Sequence, residues 1–334
     1  MVLALNEKTQ NKETQMTTHL MKSSPSIQSA TREFLNIHFD TPDIGVIQKA
    51  ITQTHATNHT DCVQGMHLLG DSGTGKSYIA KNYADDYPRY VDDGQEIVPV
   101  LYVSLLQKST TNSLMVRLLR TLTGLRKITA REEEVQDRLI NRLEAAKTEL
   151  IFIDESQHLT RESSSISSQH AADAIKALMD ATGIPIVCVS IDSSLALLIG
   201  RSKFKKEKQL RRRNRRMYSI QPYDLGTEHW SDLISQFQTS LNCKEDLTSS
   251  DMLKRIHIAT YGLFGNLIPL FKEAIEITGC SQKIDKLVLE KAYIEFQPNN
   301  ELAFNPFETT MSTIEAEITF RLNARIEASA IEQA

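Results

Sequence analysis

The residues best equipped for chemistry lie in two short runs. The first, GDSGTGKS, comprises Gly70, Asp71, Ser72, Gly73, Thr74, Gly75, Lys76 and Ser77 and matches G-x-x-x-x-G-K-[ST]. Glycines let backbone N–H groups turn inward as an anion nest at the start of a helix. Lys76 is placed to reach β- and γ-phosphates as a point charge, and the Ser77 hydroxyl to ligate Mg²⁺. An apolar strand pattern precedes this run and a helical pattern follows it, the context such a loop needs. The second run, LIFIDE over residues 150–155, ends an apolar segment with adjacent carboxylates, Asp154 and Glu155. Ligands of open α/β sheets gather at the carboxyl ends of strands. Asp154 is therefore expected to hold the Mg²⁺ shell, and Glu155 to orient and deprotonate an attacking water. An adjacent acid pair favours hydrolysis of ATP over transfer to a small substrate, because water needs its own base.

Other residues could complete the site. The apolar run 186–189 ends in Ser190-Ile-Asp192; Ser190, and after it Asp192, is a candidate to touch both the γ-phosphate and the water. His158 has no other ligand types around it at metal spacing and reads as a loop residue. Residues 201–216 (RSKFKKEKQLRRRNRR) hold ten basic residues and one acidic, while the whole chain, with 38 basic and 42 acidic residues, is at −4. The rest of the protein is thus distinctly acidic, and the asymmetry points to a polyanionic partner. In ring-forming ATPases an arginine from such a position, between the fourth and fifth strands, projects to a neighbour's γ-phosphate. Arg213 is the first candidate, with Arg211 and Arg212 as alternates. Lys203 and Lys205 are then free to meet DNA phosphate or an acidic partner. A second basic and hydroxyl-bearing stretch holds Lys108, Thr110, Arg117, Arg120, Arg126 and Lys127; lacking aromatic interleaving, it suits backbone tracking on DNA.

The elements that must position these residues alternate. Nearly continuous apolar runs at 66–69, 98–103, 150–153, 185–189 and 217–220 predict five strands of a parallel sheet buried on both faces. Helical patterns lie between them: Leu114, Leu118 and Leu122; a capping box from Thr129 to Glu132 leading into Val135, Leu139 and Leu143; and Ala171, Ile175 and Leu178. After Pro222 the strand signal stops, and helices at 227–242, 250–261, 265–278 and 284–296 predict a small all-α unit. Ile314, Ile318, Leu322 and Ile326 predict a terminal amphipathic helix. The organisation is an N-terminal extension over 1–40, partly mobile; a nucleotide-binding α/β domain over 41–222; a helical lid over 223–300; and a C-terminal tail over 301–334. No internal repeat is visible.

Composition narrows the class. At 334 residues, 40% apolar and 24% charged, the chain can bury a large core and is not wholesale disordered. Its longest strongly apolar stretch, residues 184–191, is far too short for a bilayer span. Val2-Leu-Ala-Leu5 lacks the basic flank of a secretory signal. Cys62, Cys188, Cys243 and Cys280 stand far apart, as reduced thiols do in a cytoplasmic protein.

Phosphate loop, Asp-Glu strand, polar strand end, Gln209-Leu-Arg-Arg-Arg213 and helical lid together resemble the AAA+ ATPases over roughly residues 30–300. Within them the chain is similar to the TniB/TnsC transposition regulators, on IDESQHL (153–159), QLRRR (209–213) and YGLFGNL (261–267), and especially to the TnsC type of CRISPR-associated transposons. The resemblance implies a P-loop NTPase three-layer sandwich with an all-α lid, binding ATP and Mg²⁺. It further implies rings or helical filaments on double-stranded DNA, partnership with transposase subunits and a TniQ-type target-selection complex, disassembly controlled by hydrolysis, no membrane, and a nucleoid-associated location on DNA. One departure stands out. Many AAA+ lids carry an arginine near the glycine of the last motif, but Gly265 is followed by Asn266 and no basic residue appears until Lys272; slow hydrolysis without an arginine lid sensor is expected. An AAA+ replication initiator or helicase loader is the alternative of similar architecture. A P-loop small-molecule kinase is disfavoured by Glu155 and by the all-α unit after the fifth strand.

Overall fold

The computed structural model describes residues 25–128, 131–159, 165–191, 216–241, 243–279, 283–296 and 302–332. These residues form two compact units, one of residues 40–223 with 263–265, the other of the remainder on either side.

The first unit is built on a five-stranded parallel sheet: β1 (Met66–Gly70), β4 (Val100–Ser104), β5 (Leu150–Asp154), β6 (Ile186–Val189) and β7 (Arg216–Ile220), in the order β4-β5-β6-β1-β7. A separate antiparallel hairpin pairs β2 (Tyr90–Asp92) with β3 (Gln95–Ile97). Every residue of β1, β5 and β6 is buried, which is why these strands read as unbroken apolar runs. Side chains still alternate across the sheet. Leu101, Val103, Ile151, Ile153, Ile186 and Cys188 enter one core with helices α4 (Thr111–Thr123), α5 (Glu132–Ala145) and α6 (Ser165–Thr182). Val100, Leu150, Phe152, Val187, Met66 and Leu68 enter the other, against α2 (Pro42–His55) and α3 (Lys76–Asp85).

Two local readings change. The capping box expected at Thr129 is not what starts α5: Arg131 stands at the N-cap and makes no side-chain cap bond, while residues 129 and 130 lie outside the described residues. The reciprocal box belongs to α4, where the Thr110 hydroxyl accepts from the Ser113 N–H (3.2 Å) and the Ser113 hydroxyl from the Thr110 N–H (2.7 Å). Within the extension that was read as partly mobile to residue 40, residues 25–39 are folded. They form α1 (Pro25–Leu35), and Phe34 and Phe39 are buried with Phe237, the Phe39 and Phe237 rings stacking 4.1 Å apart. Isolated phenylalanines in a polar stretch gave no periodic signal.

The second unit contains α1, α7 (Glu228–Ser240), α8 (Ser250–Thr260), most of α9 (Phe264–Thr278), α10 (Lys286–Phe296) and α11 (Met311–Glu332). Ile314 on α11 is buried, whereas Leu322 and Ile326, expected on the same apolar face, are more than half exposed. Arg255 ties α8 to the loop before α11. Only 3% exposed, it donates to the Pro306 and Thr309 carbonyls (2.6 and 2.8 Å) and pairs with Asp251. Arg255→Ala strands those carbonyls and should lower unfolding free energy by about 3 kcal/mol in urea denaturation.

Candidate nucleotide-binding site

Strand phase decides which side chains meet. Tyr102 and Asp154 share the sheet face of Val100, Leu150 and Phe152, the face covered by α3. Ser77 lies in the first turn of α3. The three lie together: the Tyr102 phenol donates to Asp154 Oδ2, and Ser77 is near enough to act on the phenol. Burial, then the bond to Asp154, raises the phenol far above its ordinary pKa, so it stays protonated and remains a donor. The other Asp154 oxygen, Oδ1, accepts the Glu155 N–H at 2.8 Å. Asp154 is 4% exposed with both oxygens engaged, which fixes its rotamer.

The phosphate loop rests on glycine geometry. Gly70 ends β1 at φ +143°, and a Cβ there would overlap the Ile220 carbonyl oxygen on β7. Gly75, at φ +100°, caps α3 with no side chain. Lys76 is 8% exposed, and its Nζ donates to the Gly70 and Asp71 carbonyls at 2.8 and 2.6 Å. The buried ammonium is held over the loop by these carbonyls, with the Thr74 hydroxyl 3.5 Å away, and the first-turn N–H groups of α3 lie beside it. That donor set fits a polyphosphate.

Residues 263–265 complete the loop's surroundings. The Gly265 N–H donates to the Gly73 carbonyl at 2.6 Å, and a Cβ on Gly265 would stand 2.8 Å from that oxygen. Phe264 packs on the Tyr78 ring at 4.7 Å. In place of an arginine beside Gly265, the glycine itself touches the loop through its backbone, a contact that leaves no signal in the side chains. Asn266 turns elsewhere, donating to the Thr260 carbonyl.

Glu155 leaves β5 in the left-handed region at φ +57°, and the chain continues into a 3₁₀ turn, Ser156–Leu159. Strain of this kind collects at functional sites. Its Oε2 accepts from Gln157 and lies 3.7 Å from His158 Nε2. His158 is therefore a partner of Glu155 within that turn. Among the described residues no group of three or more His, Cys, Asp and Glu side chains is arranged to hold a metal ion. Ser77 and Asp154 are the described side chains that could hold a divalent cation such as Mg²⁺, an ion that takes few protein ligands and keeps water and phosphate oxygens for the rest. Ser190 follows β6, between β5 and β1, and its N–H donates to the Leu68 carbonyl. Its hydroxyl is buried, at 1% residue exposure, with no hydrogen-bond partner among the described residues.

The remaining expected residues scatter. Asp71 and Ser72 are exposed on the loop. Lys108 and Thr110 precede α4, the Thr110 hydroxyl being used in its cap; Arg117 and Arg120 lie along it; Arg126 and Lys127 follow its C-cap, Gly124. Thirteen residues of helix separate the two ends by roughly 20 Å, so these groups form a track along α4 rather than one patch. Asp192, Lys203, Lys205, Arg211, Arg212 and Arg213 lie outside the described residues.

A parallel sheet in this order, with the glycine-rich loop after β1 and the acid pair after β5, defines a P-loop NTPase fold of the AAA+ type with a helical C-terminal part. The particular family follows from the match of residues 38–218 to TniB, described as Bacterial TniB protein: the chain belongs to the TniB family. Solved structures with the same fold include the Aeropyrum pernix ORC2 protein in its ADP form (TM-score 0.53, 14% identity, covering 79% of this chain and 72% of that one). The ADPNP-ADP complexes of that protein match at TM-score 0.55 and 12% identity, covering 81% and 72%. Cdc6p from Pyrobaculum aerophilum matches at 0.51 and 13%, covering 79% and 70%. No curated protein matches the chain. Among the described residues no helix is long and apolar enough to cross a membrane.

A buried hydroxyl without a partner costs stability. Ser190→Ala should therefore raise unfolding free energy, by about 1 kcal/mol in chemical denaturation, against the usual sign for a core substitution.

Proposed function

We propose that the protein is an ATPase that assembles as a ring or helical oligomer on double-stranded DNA and links a target-selection complex to a transposase, its hydrolysis controlling disassembly. The observation that carries the reading is the placement of Lys76 and Ser77 at the start of α3, directly after β1, and of Asp154 and Glu155 at the carboxyl end of β5, in a chain of the TniB family. Lys76 and the α3 N-terminus would hold the β- and γ-phosphates. Ser77 and Asp154 would hold Mg²⁺, which supplies charge neutralisation on those phosphates. Glu155 would take the proton of the attacking water, with Ser190 orienting that water from the neighbouring strand end. Arg213, with Arg211 and Arg212 as alternates, would reach the neighbouring subunit's nucleotide.

DNA enters through charge and likeness. The ten basic residues in 201–216, together with the α4 track, are suited to phosphate contact without base readout. Among structures sharing the fold is the Aeropyrum pernix ORC1 protein in complex with DNA, at TM-score 0.50 and 14% identity. The TniB match favours transposition over replication initiation. The TnsC type of CRISPR-associated transposons, with a TniQ-type complex as partner, remains the finer reading of the motifs at 153–159, 209–213 and 261–267.

Two variants assayed on duplex DNA test the site. Lys76→Ala should lose nucleotide binding and DNA assembly together. Glu155→Gln should keep both while turnover falls roughly 10²–10⁴-fold, leaving assemblies that persist on DNA. Undiminished ATP affinity in the first, or wild-type turnover in the second, overturns the assignment. Mixing tests the arginines: Arg213→Ala and Lys76→Ala subunits, each inactive alone, should recover part of the ATPase activity, because one interface then joins an intact loop to an intact arginine. Recovery of Arg213→Ala alone at low salt would assign the residue to DNA contact instead.

A further inference from the structure

Tyr102 was not among the residues expected to do chemistry, yet it is hydrogen-bonded to Asp154, one of the two side chains proposed for the metal. It sits two residues before the end of β4, opposite Phe152 in the β4–β5 register, so its side chain lies on the same face as that of Asp154 on the adjacent strand. Its ring is partly buried, with the Lys81 ammonium 5.7 Å from the centroid. Its hydroxyl donates to Asp154 Oδ2.

One hydroxyl carries one proton. Here that proton is donated to Asp154, so the phenol acts on the carboxylate as a donor. Asp154, meanwhile, is held from one side by Tyr102 and from the other by the Glu155 N–H, and it retains acceptor capacity beyond these two bonds.

Resting on the nucleotide-binding reading above, we infer that Tyr102 is a positioning residue for the divalent cation: it fixes the Asp154 carboxylate in the arrangement that a metal bound with nucleotide requires. Groups that orient metal ligands without touching the metal change metal affinity by about 10–100-fold when removed. Tyr102→Phe keeps the ring and its packing and removes only the hydroxyl.

The test is a Mg²⁺ titration of a fluorescent ATP analogue bound to the full chain, read by fluorescence and not by turnover. In Tyr102→Phe the Mg²⁺ concentration for half-maximal response should rise about tenfold or more. Affinity for the analogue in EDTA should stay within about twofold of wild type, since Lys76 and the loop amides hold the phosphates without help from Tyr102. Thermal unfolding without ligand identifies a misfolded variant; should Tyr102→Phe unfold, Tyr102→Met, which also lacks the hydroxyl and fills the space with a flexible apolar side chain, should show the same split between Mg²⁺ dependence and metal-free affinity. An unchanged or lowered Mg²⁺ midpoint in a folded variant overturns the inference, and so does an equal loss of metal-free affinity. Failure of wild-type protein to bind the analogue at all would instead overturn the nucleotide-binding reading.

Discussion

Everything at the candidate site depends on the phase of side chains along two adjacent strands. β4 and β5 are buried on both faces, and their register sets Tyr102 against Phe152 and Ser104 against Asp154. Because the period is two, a slip of one residue would drive Asp154 into the core lined by Ile151 and Ile153 and turn those residues toward α3. The hydrophobic demand of two cores therefore fixes the carboxylate's direction before any polar contact is made. Tyr102, Asp154 and Ser77 meet because Leu101, Val103, Ile151 and Ile153 must go the other way.

Polar contacts then refine what packing has fixed. Asp154 spends both oxygens, Glu155 accepts a left-handed backbone, and Lys76 settles on carbonyls of its own loop. Each arrangement is costly alone and tolerable on a rigid sheet edge. The unpaired Ser190 hydroxyl belongs to the same pattern, a polar group kept where an apolar one would be more stable.

Much of this was legible in the sequence, for physical reasons that also mark where legibility stops. Unbroken apolar runs exposed β1, β5 and β6 because burial on both faces leaves no room for alternation, whereas β7, with Met217 half exposed, is covered less completely. The phosphate loop was legible because its chemistry needs contiguous residues. Tyr102 was not, since an aromatic residue in an apolar strand is indistinguishable from core until its register to Asp154 is known. Gly265 was not, since its contact with Gly73 joins distant parts of the chain through backbone atoms. Phe34 and Phe39 were hidden for a related reason: they pack with Phe237, far along the chain, and leave no helical period behind. Thr110 looked like a hydroxyl free for DNA, whereas its oxygen serves the first turn of α4.

The Gly265–Gly73 contact has a consequence for solution conditions. Where a charged side chain reports the state of a phosphate loop, added salt weakens the report by screening. Here the link is a main-chain hydrogen bond between two glycines, with no ionisable group and no rotamer to reorganise. It is indifferent to ionic strength and to pH across the range in which the fold survives. The DNA contacts proposed for the basic residues would fade as salt rises, whereas the tie between residue 265 and the phosphate loop would persist.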